Sequence, residues 1–573
     1  MKPTRQNTLQ YTAAISLLGL VVGLSASFAT IGFVELVLYL NELLFVSPES
    51  RMNLEGMNLA LVTISVLTLG GLIVGLIMRY TVNSQESAGP ADTLYAVQLH
   101  ERLPSPVSGS CSTIAAVISL GCGASVGQYG PLVYLGTLVG QLTNRLKLGL
   151  TDVRNITIAC GVAAAISTAF NAPIAGLIFT HEVILRHYSL RMFTAVTIAS
   201  ACGYLVANVI FHHPPLLLID FSSSFRGIEF FLFAIEGIAC GVLAVVFMKL
   251  LARTALLSKS LKLPIALKPA LAGFLVALVA LQIPETLGAG QEVFRLALTG
   301  GHYDANSLLL ILLAKMLVTI VCIGFGFAGG IIFPSLLIGV LFGSLFALWV
   351  PALFLDEFSG LEVYAICGMV ALMSPVIGAP MTALLLVFEF TRNYEITIAA
   401  MIVIVFSNLV SHRWYGRSLY DNQLAARGID LSMGRVRAFL MHQKITNLIS
   451  ASLPVVTETM STTEAGELLM EHNSICAVVI DNSKGYRGLV SQTQLLDGSA
   501  DSRVSNLSLQ HGRPFTQNTS IWDAMECMRD YIGQAIPVVD SVTGAYLGAV
   551  PESAVINAYL DATTELRREE NEV

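Results

Sequence analysis

The amino-acid sequence predicts an all-α polytopic membrane protein with an internal repeat, followed by a small α/β pair near the C-terminal end. Of the 573 residues, 54% are hydrophobic and only 12% are charged, about half the charged share of an ordinary soluble domain. Apolar segments follow one another to about residue 411, and landmarks inside them occur twice in the same order. This composition excludes a soluble enzyme, a disordered chain and a nucleic-acid-binding protein.

The apolar segments are of two kinds. The first, residues 11–46, is longer than the core of a signal peptide, so we expect an uncleaved, tilted membrane helix. Full spans are expected at 57–78, 189–211, 228–252 and 305–323, and shorter segments bounded by Gly or Pro at 129–143, 172–184, 331–349 and 379–391. Short segments at membrane depth indicate half-helices whose ends line a cavity or a site.

Basic residues with few opposing acids mark the connections expected on the cytoplasmic side. They are Lys249, Arg253, Lys259, Lys262 and Lys268, then Arg145, Lys147 and Arg154, and after the last segment Arg413, Arg417, Arg427, Arg435 and Arg437. The positive-inside rule then predicts cytoplasmic N- and C-termini, and we expect a prokaryotic inner or cell membrane.

The composition changes to that of a soluble domain after about residue 430. Two copies of a helix, an apolar strand, a Gly-containing turn and a second strand are visible, with strands at 477–481 and 536–540. We therefore divide the chain into a membrane domain (1–430), a linker (431–450), two modules (451–500 and 501–565) and an acidic tail (566–573).

The membrane part repeats two motifs. Gly127-Gln128-Tyr129-Gly130-Pro131 and Gly330-Ile331-Ile332-Phe333-Pro334 are each followed by Gly five and nine residues after the Pro. Further on, the segments 171–182 and 378–389 each place Glu nine residues after Pro. The order indicates two structural halves, which form an inverted pair if each half has an odd number of spans.

Both copies of the Gly/Pro motif have the chemistry of an anion site, and two such helix starts that face each other near the midplane would form one. Pro belongs in the first turn of a helix, and Gly lets the preceding backbone approach an ion. Free N–H groups and the positive end of the helix dipole attract an anion without a full positive charge. Weak binding of this kind suits conduction, although glycines of this spacing also serve to pack helices together.

At these residues the sequence resembles the CLC family of chloride channels and chloride/proton antiporters. The likeness covers nearly the whole chain, including the C-terminal pair, which is similar to two CBS modules. The motifs that carry it are 86–90 (Glu-Ser-Ala-Gly-Pro), 127–131, 330–334, 170–176 (Phe-Asn-Ala-Pro-Ile-Ala-Gly) and Tyr420. The resemblance implies a CLC-like fold of about 17–18 helices including half-helices, and a homodimer in lipid with one chloride pathway per subunit.

The resemblance also implies the anion ligands. They are the hydroxyls of Ser87 and Tyr420 and the backbone N–H groups of Ile331 and Ile332, because an anion that loses its water needs such donors. The backbone of the pathway is formed by Gly127, Gln128, Gly130, Pro131, Gly330, Phe333 and Pro334. Retention of Ser87 favours chloride over nitrate and argues against a fluoride carrier.

Two positions depart from the family pattern. Tyr129 stands where the family has its gating glutamate, and Val183 stands where antiporters have an internal proton-transfer glutamate. A phenol stays neutral near pH 7 and valine cannot carry a proton, so passive, proton-uncoupled chloride transport is predicted. The alternatives are an antiporter that uses Glu182 or His181, and a sealed sensor or scaffold that bears CBS modules.

The remaining predictions concern ligands other than chloride. The CBS-like pair keeps Ser491 but lacks the later Asp that contacts adenine nucleotides in this module type, and Pro551 replaces the hydroxyl in the second copy. We therefore favour a role in dimer stability or trafficking and expect no cofactor. The nine cysteines form no Cys-x-x-Cys pair, and no metal or catalytic constellation is recognisable, so we expect no enzyme.

Overall fold

The computed structural model of the protein describes residues 5–52, 56–82, 88–99, 105–144, 153–213, 227–353, 359–450, 453–497, 502–507, 509, 513–529 and 535–571. The chain forms two compact units that divide between Arg427 and Gly428. Ser87, proposed above as an anion ligand, lies outside the described residues.

The first unit is entirely helical where it is described. Its first nine helices are α1 (Arg5–Leu43), α2 (Pro48–Arg51), α3 (Gly56–Ile77), α4 (Pro90–Gln98), α5 (Pro106–Gly121), α6 (Tyr129–Asn144), α7 (Arg154–Phe170), α8 (Pro173–Phe179) and α9 (Leu190–Tyr204). The others are α10 (Glu229–Ser260), α11 (Leu267–Gln282), α12 (Gln291–Thr299), α13 (Ala305–Gly324), α14 (Ile332–Leu353), α15 (Leu361–Ile377), α16 (Pro380–Thr391), α17 (Tyr394–Trp414) and α18 (Leu419–Ala425).

Seven described helical segments are long and apolar enough to cross a membrane, and several shorter apolar helices accompany them. The predicted half-helices at 129–143, 172–184 and 379–391 correspond to α6, α8 and α16. The helix predicted at 331–349 differs, because α14 continues to Leu353 and reaches the length of a full span. After Pro334 in its first turn, α14 carries no Pro until position 351, so its apolar sequence has no helix-breaking residue at 349.

The two predicted halves pack in the same way. In the first half α6 packs on α7, and α1 packs on α7 and α9; in the second half α14 packs on α15, and α10 packs on α15 and α17. The repeated glycines at 136 and 140 lie against the backbone of α7, and those at 339 and 343 lie against α15. A Cβ at Gly136 would come within 2.3 Å of the Gly161 carbonyl oxygen, so these glycines do pack helices together.

The second unit is built from two similar sheets. Its helices are α19 (Arg435–His442), α20 (Thr462–Glu471), α21 (Gln492–Asp497), α22 (Ile521–Met528) and α23 (Glu552–Asn571), and its strands are β1 (Val455–Thr457), β2 (Cys476–Ile480), β3 (Tyr486–Ser491), β4 (Phe515–Thr516), β5 (Ala535–Val539) and β6 (Tyr546–Pro551). In each sheet the first pair is parallel and the second pair is antiparallel, in the orders β1-β2-β3 and β4-β5-β6. A shared apolar core joins the sheets, with Leu453, Val478 and Leu489 from one module and Ala535 and Ala549 from the other.

The second unit differs from the sequence prediction at both ends. The predicted linker 431–450 contains α19, which packs against α22 and α23 of the second module. Ser450, the last residue of the predicted linker, forms two backbone hydrogen bonds with Ala549, one in each direction and both at 2.9 Å. The predicted acidic tail 566–573 is helical as far as Asn571, because α23 continues through it.

Candidate anion site

The two repeated Gly/Pro motifs meet at one point. The Gly127 amide donates to the Gly330 carbonyl and the Gly330 amide donates to the Gly127 carbonyl, both at 2.7 Å. The bridge is antiparallel, and α6 and α14 both begin beside it. The predicted convergence of two helix starts is therefore confirmed, and the arrangement fits an inverted pair of halves.

Glycine is required at this meeting point. A Cβ on Gly130 would lie 2.8 Å from the Gly330 Cα, and a Cβ on Gly330 would lie 2.7 Å from the Gly130 nitrogen. Any side chain would push the two loops apart, so backbone alone fills the contact. The first-turn N–H groups of α6 and α14 have no acceptors within their own helices, which leaves donors for an anion.

Beside this meeting point lies a cavity of about 100 Å³, here called the central cavity. It is lined by residues 88–92 at the start of α4, by Gly130, by residues 329–331 before α14, by Ile323 and Phe327, and by Tyr420, Gln423 and Arg427. The Tyr420 hydroxyl is buried and has no hydrogen-bond partner among the described residues. A buried hydroxyl without a partner is costly, so the central cavity offers a donor that suits a dehydrated anion.

The sequence-predicted ligands are partly brought together by the fold. Ile331 and Tyr420 line the central cavity, and Ile332 opens α14 next to them. The segment that follows Ser87 is held in place because the Ala88 amide donates to the Ser112 hydroxyl and the Gly89 amide donates to Asp92, each at 2.9 Å. The predicted pathway residues Gln128, Pro131, Phe333 and Pro334 lie in or beside the first turns of α6 and α14.

Tyr129 is sealed inside the protein. Its side chain is 1% exposed and lies flat against Phe170, with ring centroids 3.7 Å apart and an angle of 13° between the rings. Phe333 packs beside it with a centroid distance of 5.9 Å. The residue at the predicted outer gate is thus part of an aromatic cluster, held by packing and not by charge.

Comparison with known proteins decides the family. A sequence model described as voltage gated chloride channel matches residues 70–412, and a CBS domain model matches residues 445–501. The chain belongs to the CLC family. It is accordingly an integral, multi-pass membrane protein of the family that transports chloride, with a C-terminal CBS region.

Individual relatives are similar to about three fifths of the chain, at low identity. The chain is 26% identical over 366 residues to a putative chloride channel protein ClcB-like from Ralstonia nicotianae, which covers 62% of this chain and 84% of the relative. It is 28% identical over 350 residues to the H⁺/Cl⁻ exchange transporter ClcA from Citrobacter koseri, covering 59% of this chain and 72% of the relative.

Two solved structures show the same fold. A slow cyanobacterial Cl⁻/H⁺ antiporter is 23% identical with a TM-score of 0.66, and the match covers 72% of this chain and 97% of that one. A eukaryotic CLC transporter is 18% identical with a TM-score of 0.65, and the match covers 95% and 98%. The predicted CLC-like fold is therefore confirmed.

In this CLC protein the candidate proton carriers lie on one π-helical segment, Thr180–Leu185, which continues α8. Val183 and His181 are both buried on this segment. The His181 Nδ1 donates to the His187 carbonyl oxygen (3.1 Å), because a carbonyl can only accept, while the His181 Nε2 has no partner among the described residues. π-helical turns occur often at functional positions, and the unpartnered Nε2 leaves His181 with a nitrogen that can accept a proton.

Glu182 has a structural role that the sequence did not reveal. Its carboxylate accepts from the Met381 amide (2.9 Å), the Thr382 amide (2.8 Å) and the Thr382 hydroxyl (2.7 Å) at the start of α16. Because three donors at the N-terminus of α16 bond to it, Glu182 caps that helix and links the two halves of the CLC fold.

An ion pair at the central cavity was also not predicted from the sequence. Arg427 donates from Nη1 to Asp92 Oδ1 at 2.8 Å, although the two residues are far apart in the chain. Both side chains line the cavity. The pair links the start of α4 to the segment that follows α18.

In the CBS region Ser491 is already engaged. Its hydroxyl bonds to Thr493 (2.9 Å) and Gln494 (3.1 Å) at the start of α21. The hydroxyl that contacts nucleotides in related modules is thus used within its own turn, which favours a structural role for this residue.

Proposed function

We propose that this CLC protein moves chloride passively across the membrane, without coupling to protons. The observation that carries the proposal is the packing of Tyr129 against Phe170, at the position where the family has its gating carboxylate. A neutral phenol in an aromatic cluster is not drawn to the anion site by charge and neither releases nor takes up a proton near pH 7. Val183, buried and apolar, removes the second proton station.

The proposed anion ligands are Ser87, Tyr420 and the backbone amides of Ile331 and Ile332. Support comes from the partnerless Tyr420 hydroxyl and from the helix starts that meet beside the central cavity. Tyr129 acts as the outer gate in this proposal, and its ring must leave Phe170 for an anion to pass. Chloride therefore moves only when the aromatic stack opens.

One observation favours a second candidate, a chloride/proton antiporter with an unusual carrier. His181 is buried and its Nε2 has no partner among the described residues, so this nitrogen is available to take up a proton. Glu182 is a poorer carrier, because releasing its carboxylate would uncover two amides at the start of α16.

The assembly and its orientation are further parts of the proposal. We assign a homodimer with an apolar interface in the membrane, cytoplasmic N- and C-termini, and a prokaryotic inner or cell membrane. The basic clusters at 249–268 and 413–437 support this orientation through the positive-inside rule. We assign the CBS region to dimer stability or trafficking, with adenine nucleotide as a disfavoured ligand.

Reconstitution into liposomes distinguishes passive chloride transport, chloride/proton antiport and a sealed pathway in one experiment. The full-length protein is placed in vesicles loaded with KCl, and external chloride and pH are recorded before and after valinomycin is added. We expect chloride efflux that depends on valinomycin, with no uphill proton movement and a rate nearly constant between about pH 4.5 and 7.5, well below the pKa of a phenol.

The alternatives give different results in the same vesicles. Chloride-driven proton uptake that disappears in His181→Phe would replace the proposal by antiport through His181. Absence of chloride flux in the unmodified protein, together with flux in Tyr129→Ala, would show a sealed pathway and favour a sensor or scaffold. The variant Tyr129→Phe serves as the control, because it keeps the ring and removes only the hydroxyl.

A further inference from the structure

The central cavity carries its charge in a single ion pair. Of the described residues that line it, Asp92 and Arg427 are the two with charged side chains, and they bond at 2.8 Å. Their side chains are 20% and 36% exposed, so the pair is partly accessible to solvent. The two opposite charges of the pair therefore cancel next to the hydroxyl and amide groups that would donate to an anion.

Asp92 occupies a position that an anion would also favour. Its Oδ2 accepts from the Gly89 amide at 2.9 Å, at the N-terminus of α4. The positive end of a helix dipole attracts any negative charge, and here the carboxylate already satisfies one of the free N–H groups. A fixed negative charge at the cavity wall opposes chloride entry unless another charge cancels it.

Arg427 supplies that cancelling charge. Its guanidinium bonds the other carboxylate oxygen, Oδ1, so each oxygen of Asp92 has its own donor. Arg427 follows α18, the helix that carries Tyr420 into the cavity. One short segment therefore brings both a hydroxyl and a positive charge to the same wall.

We propose that the Asp92–Arg427 pair sets the chloride affinity of the central cavity. The positive charge of Arg427 attracts chloride, and the negative charge of Asp92 offsets that attraction. The inference rests on the proposed chloride pathway through this cavity. Removing one charge leaves the other uncompensated, so the two single variants shift affinity in opposite directions. By Coulomb's law, a unit charge at the wall of a partly solvated cavity changes the affinity for an anion inside it about three- to tenfold.

The experiment measures chloride binding by calorimetry and chloride efflux from liposomes on the same full-length preparations. Asp92→Asn keeps an oxygen for the Gly89 amide and should bind chloride about three- to tenfold more tightly, whereas Arg427→Gln should bind it weaker by a similar factor. The double variant Asp92→Asn/Arg427→Gln should return to within about twofold of the unmodified protein, because its cavity wall is again neutral.

A second ion pair provides matched controls. Arg186 donates to Asp421 at 2.6 Å, and neither side chain lines the central cavity. Arg186→Gln and Asp421→Asn remove the same charges from this pair, and they should change chloride affinity less than about twofold. Equal shifts in the control variants would mean that movement of α18 causes the effect, and the proposal would be wrong.

The outcomes separate this inference from the proposed function. Single variants that both weaken binding, or a double variant as altered as either single one, would overturn the role of the pair. If the unmodified protein transports chloride in that case, the proposed function stands without it. If the unmodified protein neither binds nor transports chloride, the proposed function fails first.

Discussion

Glu182, in the first half of the membrane domain, caps a helix of the second half, and Glu389, in the second half, caps a helix of the first. Glu182 accepts from the amides of residues 381 and 382 at the start of α16, and Glu389 accepts from the amides of residues 174 and 175 at the start of α8, at 2.8 and 2.7 Å. Each glutamate thus bonds the two amides that follow Pro in the other half. The shared nine-residue spacing from Pro to Glu has this reciprocal contact as its physical basis.

The first prediction concerns this pair. Glu182→Ala and Glu389→Ala should each destabilise the membrane domain by about 1–3 kcal/mol, because two helix-start amides lose their acceptors. Thermal unfolding in detergent measures the loss, and Glu182→Gln should keep part of the stability because its amide oxygen still accepts. A loss of stability in one variant alone would contradict the reciprocal role.

The second prediction concerns Tyr129. Tyr129→Glu should make chloride flux depend on pH, because an ionised carboxylate competes with chloride at the start of α6 and a protonated one does not. It should not create proton coupling, since Val183 remains. Liposome flux at several pH values measures the change, with Tyr129→Phe as a pH-independent control; proton pumping by Tyr129→Glu would argue for another internal carrier.

The third prediction concerns the Tyr420 hydroxyl. Tyr420→Phe should weaken chloride binding about tenfold, as expected for one lost hydrogen bond to a charged ligand. Tyr134 is a matched control, because its hydroxyl is also buried without a partner among the described residues but does not line the central cavity. Calorimetry on both variants decides the point, and equal losses would remove Tyr420 from the ligand set.

The fourth prediction concerns Ser87, which rests on the family resemblance. Ser87→Pro should shift anion preference from chloride toward nitrate, because a hydroxyl donor is removed from the site. Flux with each anion inside the liposomes gives the ratio. An unchanged ratio would count against Ser87 as a ligand.

The fifth prediction concerns the border between the two units. Deleting residues 451–573 should impair expression and assembly, because α19 loses α22 and α23 and exposes Ala438, Phe439 and Leu440. Deleting 428–573 removes α19 as well and should give a more homogeneous protein. Size-exclusion profiles compare the two, while anion selectivity should be the same in both; altered selectivity in a well-assembled protein would contradict this prediction.

The sequence predicts the membrane fold well because its signals are local or repeated. Gly127 and Gly330 could be paired in advance since each begins the same spaced motif. The Asp92–Arg427 pair could not, because nothing near either residue indicates a partner more than 300 positions away. The spacing of Glu182 and Glu389 was visible, yet spacing alone does not show which amides a carboxylate contacts.

The soluble unit was harder to delimit for a related reason. α19 has only eight residues, too few for its period to distinguish a packed helix from a linker. Its partners α22 and α23 lie beyond the whole first module in the sequence. The strands of the two modules were easier, because each is a short apolar run that ends in a turn.

The packing of α19 also has a consequence for biosynthesis. α22 begins roughly 80 residues after α19 ends, and at about 5–20 residues per second the ribosome needs several seconds to make that interval. During this time the first CBS module has its own strands available, while α19 has no surface to bury its apolar face. α19 therefore completes its packing only after α22 and α23 have been synthesised.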